Sequence, residues 1–195
     1  MKKIYIILTH TGTTLSTIIK YYTKDEFTHV SIALDADLEE MYSFGRLNPY
    51  NPFWGGFVHE SINKGTFKRF KKTVANVYSI FVEDEQYERL KKIIKYFDEN
   101  KEKYKFNIKG LFCVSLNKKI KRKNTFYCAE FVEHVMRYSR IPIGQLPEII
   151  KPEDFKMIDG LRLEYEGKLR KYRKKKYLSL EDVHRMINRN KIGYI

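Results

Sequence analysis

The chain carries two hydrophobic periods, and the point where one gives way to the other constrains its fold more than any other feature. As far as Val82 the apolar residues come in short, β-branched runs separated by turn residues. Lys3 to Thr9 is one such run, ended by Thr11-Gly12. "FTHVSIALD" is a second, and Val74 to Val82, "VANVYSIFV", is the clearest. Runs of this length and composition read as strands. From Glu83 the period changes: Tyr87, Leu90, Ile94 and Phe97 fall at helical spacing, with charges on the opposite face. Strands gathered ahead of the main helices predict one α+β domain.

The remaining segments fit that frame. Thr14 to Tyr22 is compatible with a helix. A turn at Asp35 to Asp37 joins "FTHVSIALD" to a hairpin partner, "EEMYSFG", and "RLNPYNPFWGGF" reads as a loop leading to a short extended piece that ends at His59 and Glu60. With Trp54 in its middle, that loop is either packed on the surface or a lid. Ile108 to Leu116 is apolar. In "TFYCAEFVEHVMRYSR", Cys128, Phe131, Val132 and Val135 keep the helical period, and Pro142 closes the element. From Leu161 the chain shows one strand, the basic stretch "KLRKYRKKKY" and a helix from Ser179. The expected organisation is a domain over residues 1–160, with 161–195 as a basic extension packed on it or flanking it.

At 195 residues, 43% of them hydrophobic, the chain suits a single domain with a real core. Its net charge of +14 favours an anionic contact, whether nucleic acid, a lipid surface or an acidic polymer. The runs "KKIKRK" and "KLRKYRKKKY", with Tyr172 and Tyr177 as stacking platforms, are what a nucleic-acid reading would use. The apolar run Ile4 to Leu8 is too short for a signal core or a membrane span. Two cysteines are too few for a disulfide framework, so a reducing, cytoplasmic setting is expected.

Cys128 is the first residue with chemical interest. Asn124 and Thr125 are good N-caps, which would set the thiol in the first turn of its helix. Unpaired N–H groups and the positive dipole end favour a thiolate there, and the same groups can hold an oxyanion. By position alone Cys128 is as readily a buried core thiol. Cys113, between Phe112 and Val114, reads as core. His29 opens an apolar strand; taken alone it reads more readily as a structural or surface residue. Its pairing with a cysteine at a helix start makes it the candidate base, because a thiol nucleophile needs an imidazole. With a three-residue turn, Ser43 falls opposite His29; with a five-residue turn it lies diagonal to it. In both registers it shares the histidine's face, as does Glu39 near the turn, whereas Glu40 does not. Ser43 is therefore the expected orienting residue. His134 and His184 read as helix-surface residues without ligand spacing. No metal and no cofactor is expected.

The runs "HVSIAL" from His29 and "YCAEFV" from Tyr127 resemble the circularly permuted papain-like cysteine peptidases of the NlpC-type superfamily, which include YiiX-like and lecithin-retinol-acyltransferase-like proteins. Histidine before cysteine is the permuted order. An N-terminal strand, the hairpin after His29 and the Pro152-Glu153-Asp154-Phe155 segment extend the likeness over roughly residues 3 to 158. The resemblance implies an antiparallel, small barrel-like sheet packed against helices, with Cys128 as nucleophile and His29 as base. It implies an acyl-enzyme formed on an amide or ester, with Tyr127 shaping the site. His10 would line the pocket or supply a polar group. The third residue in such proteins is usually His, Glu, Asp, Asn or Gln, and Ser43 departs from that pattern. The implied substrate is small and peptide-like, for instance derived from cell wall. The alternatives are a lipid-directed acyltransferase or hydrolase of the same fold, or a binding module with a basic surface.

Overall fold

A computed structural model describes residues 1–48, 51–108, 110–111 and 123–173 of the chain. Its centre is β1 (Lys2–His10), whose uninterrupted apolar run is explained by burial on both faces. Ile4, Ile6 and Leu8 join one core and Tyr5 and Ile7 another. On one side β1 pairs with β2 (His29–Ala33), and on the other with β5 (Val74–Val82). Beyond β2 come β3 (Met41–Asn48) and β4 (Asn51–Glu60); beyond β5 comes β8 (Arg162–Lys168). The six strands run β4-β3-β2-β1-β5-β8, antiparallel throughout. The domain is thus α+β with an antiparallel sheet, but the sheet is open, with β4 and β8 at its edges, and among the described residues it closes into no barrel.

One face of the sheet carries α3 (Asp84–Glu99) and α4 (Cys128–Tyr138). Here Phe97 meets Phe131 at 5.3 Å and Phe126 at 5.5 Å between ring centroids, and Phe44 of β3 meets Phe131 at 5.2 Å. The other face is thinner: Phe67 of α2 (Gly65–Arg69), Leu169 and Tyr172 cover Ile7, Met41 and Val77. A short helix, α1 (Thr14–Thr23), follows β1, with Thr13 as its N-cap. A two-residue strand, β6 (Lys105–Phe106), pairs in parallel with β7 (Thr125–Phe126) just ahead of α4. Among the described residues no helix is long and apolar enough to cross a membrane.

Three expectations change. The segment read as a loop or lid is, from Asn51 onward, strand β4, paired with β3 from Asn48↔Asn51 through Met41↔Glu60. Its glycines disguised it, but Gly55 is there for close packing. A Cβ on it would stand 2.6 Å from the Gly45 carbonyl oxygen and 2.7 Å from Phe106 Cβ. The extension drawn from residue 161 begins inside the fold, since β8 completes the sheet and Leu169 and Tyr172 are buried. Tyr172 donates its hydroxyl to the Ala36 carbonyl at 2.8 Å and so presents no ring for stacking on bases. Cys113, Tyr177, His184 and the expected helix from Ser179 lie outside the described residues, as does most of "KKIKRK".

Candidate active site

Cys128 is the first residue of α4. Tyr127, in extended conformation, is the N-cap, and the Glu130 carboxylate accepts its N–H at 3.1 Å, which secures the first turn. Asn124 and Thr125, the expected caps, stand outside the helix: Asn124 has φ +55° in the preceding turn, and Thr125 belongs to β7. The sulfur therefore sits where backbone N–H groups have no carbonyl one turn back and the dipole is positive. It is a free thiol, and Cys128 is only 3% exposed.

His29 opens β2. Its Nε2 lies 3.1 and 3.2 Å from the two carboxylate oxygens of Glu60, the last residue of β4, and 3.3 Å from Ser31 Oγ. Ser31, itself fully buried, donates to Glu60 Oε2 at 2.5 Å. The Cys128 side chain lines the same cavity and is close enough to contribute to the charge balance of the imidazole. With Nε2 turned to the carboxylate, Nδ1 is the ring nitrogen that remains for the sulfur.

Burial alone would push this imidazole toward its neutral form. The Glu60 charge, the hydrogen bonds to Cys128 and Glu60, and the Cys128 charge outweigh burial and raise its pKa to about 10. At neutral pH the ring is therefore an imidazolium. The His29 and Glu60 side chains are 20% and 13% exposed, so bulk solvent screens their pairing little.

Cys128, His29 and Glu60 line one cavity of about 70 Å³, together with Thr13, Thr28 and Arg46. A wider groove of about 870 Å³ runs along β4 to Tyr104 and Phe106. Arg46, Glu60, Thr66 and Phe67 line both, so the two adjoin. A thiol, an imidazole and a carboxylate lining one cavity are the groups that acyl transfer uses.

Ser43 is bonded to the backbone and not to the imidazole. The turn between β2 and β3 spans five residues, Asp35 to Glu39, with Leu34 N–H donating to the Glu40 carbonyl at 3.3 Å and Ala33 facing Met41. Continued along the strands, that register sets Gly45 across from His29. Ser43, fully buried, donates to the Val30 carbonyl at 2.7 Å, which ties β2 to β3 where the ladder loosens. Glu39 serves the turn region, accepting from Ser61 at 2.5 Å and from Asn63.

Tyr127 is buried and donates its hydroxyl to the Ile150 carbonyl at 3.0 Å, so it supports the helix start and is not part of the cavity wall. His10 also stands outside that lining. Its Nδ1 lies 3.4 Å from Thr28 Oγ1, and burial, then the nearby Lys20 charge, shift its pKa down. His134 is half-buried against Phe97, Phe126 and Tyr138, not on the surface as expected.

Glu60 and Ser31 escaped the sequence reading. Reading "GGFVHE" as a third strand of the meander would have brought Glu60 onto the sheet as a carboxylate candidate. Among the described residues no group of three or more His, Cys, Asp or Glu side chains could hold a metal ion. Comparison with known protein families, with curated proteins and with solved structures finds no match to this chain.

Proposed function

We propose that the chain is a thiol hydrolase, a cysteine peptidase or amidase of circularly permuted papain-like architecture, acting on an amide bond in a small peptide-like substrate. The observation that carries this reading is the placement of His29 between Glu60, at 3.1 Å, and Cys128 at the first position of a helix. The helix N-terminus beneath the sulfur offers N–H groups for an oxyanion, and the imidazole beside it is the proton carrier that a thiol nucleophile needs. Glu60 and Ser31 hold the ring with Nε2 toward the carboxylate, which leaves Nδ1 available to the sulfur.

The reaction follows from these positions. The sulfur attacks the carbonyl carbon, the C–S bond forms, and the oxyanion is held by N–H groups at the start of α4. His29 gives its proton to the leaving nitrogen as the C–N bond breaks, leaving a thioester on Cys128. The neutral imidazole then takes a proton from water, whose oxygen attacks the thioester carbon. Cleavage of the C–S bond releases the acid and restores the thiolate–imidazolium pair.

A thiol-directed acyl probe, followed by intact mass, tests the proposal. One acyl group should add to the wild type, none to Cys128→Ala, and one still to Cys113→Ala. A His29→Ala variant that is labelled at the wild-type rate at neutral pH would remove His29 from its role.

A further inference from the structure

We propose that the hydroxyl of Thr11 accepts a hydrogen bond from an N–H of the substrate beside its carbonyl, which makes the site select amides over esters of the same shape. The inference rests on the reading of Cys128 as nucleophile. β1 ends beside the start of β2, with Thr9 across from His29, so the chain leaves the sheet at the edge of the site. It leaves through the hydroxyl-rich run "THTGTTLST" that starts at Thr9. Gly12 takes φ +69° there, a left-handed turn that suits glycine, and the hydroxyls of Thr11 and Thr13 on its two sides lie 3.3 Å apart. Thr11, Thr13 and Ser16 line the small cavity together with Cys128 and His29.

Counting hydrogens and lone pairs singles out Thr11. A hydroxyl has one hydrogen to give and two lone pairs that receive. Ser16 Oγ gives its hydrogen to the Thr13 carbonyl at 2.9 Å, and receives from Thr13 Oγ1 at 3.2 Å and from Thr11 Oγ1 at 3.3 Å. Thr13 Oγ1 receives the Ser16 N–H at 3.3 Å and Arg46 Nη2–H at 3.2 Å. Both of these buried hydroxyls are then full. Thr11 has given its hydrogen to the network, and among the described residues nothing donates to it. With the Thr13 hydrogen turned to Thr11 instead, one lone pair of Thr11 stays open. In either arrangement this half-buried hydroxyl brings an unfilled acceptor to the cavity wall.

An acceptor held in this way discriminates by chemistry. The cavity of about 70 Å³ has room for roughly two waters, so a group that enters it meets every wall. The N–H of an amide fills the open position on Thr11. An ester of the same shape sets an oxygen there, with no hydrogen to offer, and Thr11 meets it only by giving up its bond to Ser16.

N-methyl iodoacetamide and methyl iodoacetate provide the test, because they differ only in N–H against O beside the carbonyl. Their alkylation rates at Cys128 are read by peptide mass spectrometry in the full chain. The amide-to-ester ratio should fall about fivefold in Thr11→Val, as loss of one neutral hydrogen bond implies, and stay within twofold of wild type in Thr11→Ser. The ratio cancels any change in thiol reactivity common to both reagents. A ratio within twofold of wild type in Thr11→Val, or an equal fall in Thr11→Ser, overturns the inference. If N-methyl iodoacetamide alkylates wild-type Cys128 no faster than Cys113 at neutral pH, the underlying assignment of the nucleophile fails instead.

A comparison on the unaltered chain avoids any folding defect. The amide-to-ester ratio at wild-type Cys128 should exceed the ratio at N-acetylcysteine in the same buffer by about fivefold. Equal ratios at the two thiols, or a lower one at Cys128, contradict an N–H acceptor in the cavity.

Discussion

The two ends of α4 place a histidine in opposite surroundings. At the N-terminal end His29 meets Cys128, with a carboxylate and a serine hydroxyl on its far nitrogen. Near the C-terminal end His134 lies among rings, 4.2 Å from Tyr138, 5.2 Å from Phe126 and 5.7 Å from Phe97 between centroids. Burial lowers the pKa of His134, and Glu133 offsets this only in part. Burial acts in the same direction on His29, but Glu60 and Cys128 overcome it. What separates a charged imidazole from a neutral one here is a carboxylate at hydrogen-bond distance. Depth in the fold does not decide it.

The largest effect that can break this contrast is at the Cys128 end. Glu60→Gln keeps the shape of the side chain and removes its charge. It should slow acyl-probe labelling of Cys128 at neutral pH by about a hundredfold. In ¹H–¹⁵N spectra the His29 titration should move down from about 10 toward the ordinary histidine range. Labelling at the wild-type rate would separate Glu60 from the site.

The aromatic end should respond in stability and leave reactivity alone. Phe97 packs against Phe131, Phe126 and His134, and Phe97→Ala should cost about 3–5 kcal/mol by denaturant unfolding. The acyl-labelling rate of the folded fraction should stay near wild type.

The pH dependence of stability sharpens the comparison further, because the two histidines act with opposite sign. The pKa of His29 is raised on folding. Its contribution is therefore complete below the unfolded value of about 6.5 and is lost as pH rises through about 10. The loss should be on the order of a few kcal/mol. His29→Gln should flatten that part of the profile. The pKa of His134 is lowered, so its contribution is present above about 6.5 and declines on acidification, a slope that His134→Phe should remove.

The smallest expected effect belongs to Ser43→Ala. Losing one buried hydrogen bond to the Val30 carbonyl should cost about 1 kcal/mol without changing labelling of Cys128. A large drop in labelling would return Ser43 to the role that the sequence suggested.

Much of this arrangement was legible in the residues. β1 and β5 lie within a residue of their expected limits because their apolar runs are long and unbroken. Cys128 at a helix start and His29 at a strand start were both visible, since capping and strand signals are local. Glu60 was not, because it faces Met41 of β3 in register, so no reading of the β2–β3 hairpin alone reaches it. Its strand was also hidden by Pro52, Gly55 and Gly56, which read as loop until Phe106 is seen packed on Gly55. Arg46 and Thr13 were invisible as a pair because they meet only through tertiary packing, across the start of α1 and the end of β3.

The most direct test of the central claim is the rate of iodoacetamide alkylation at Cys128 between pH 6 and 8. It should be measured in the wild type and in His29→Ala, with Cys113 as internal reference. The account predicts that wild-type Cys128 reacts faster than Cys113 at pH 6 to 7, and that His29→Ala abolishes this advantage. Equal rates at the two cysteines in the wild type, or an advantage that survives His29→Ala, would contradict it.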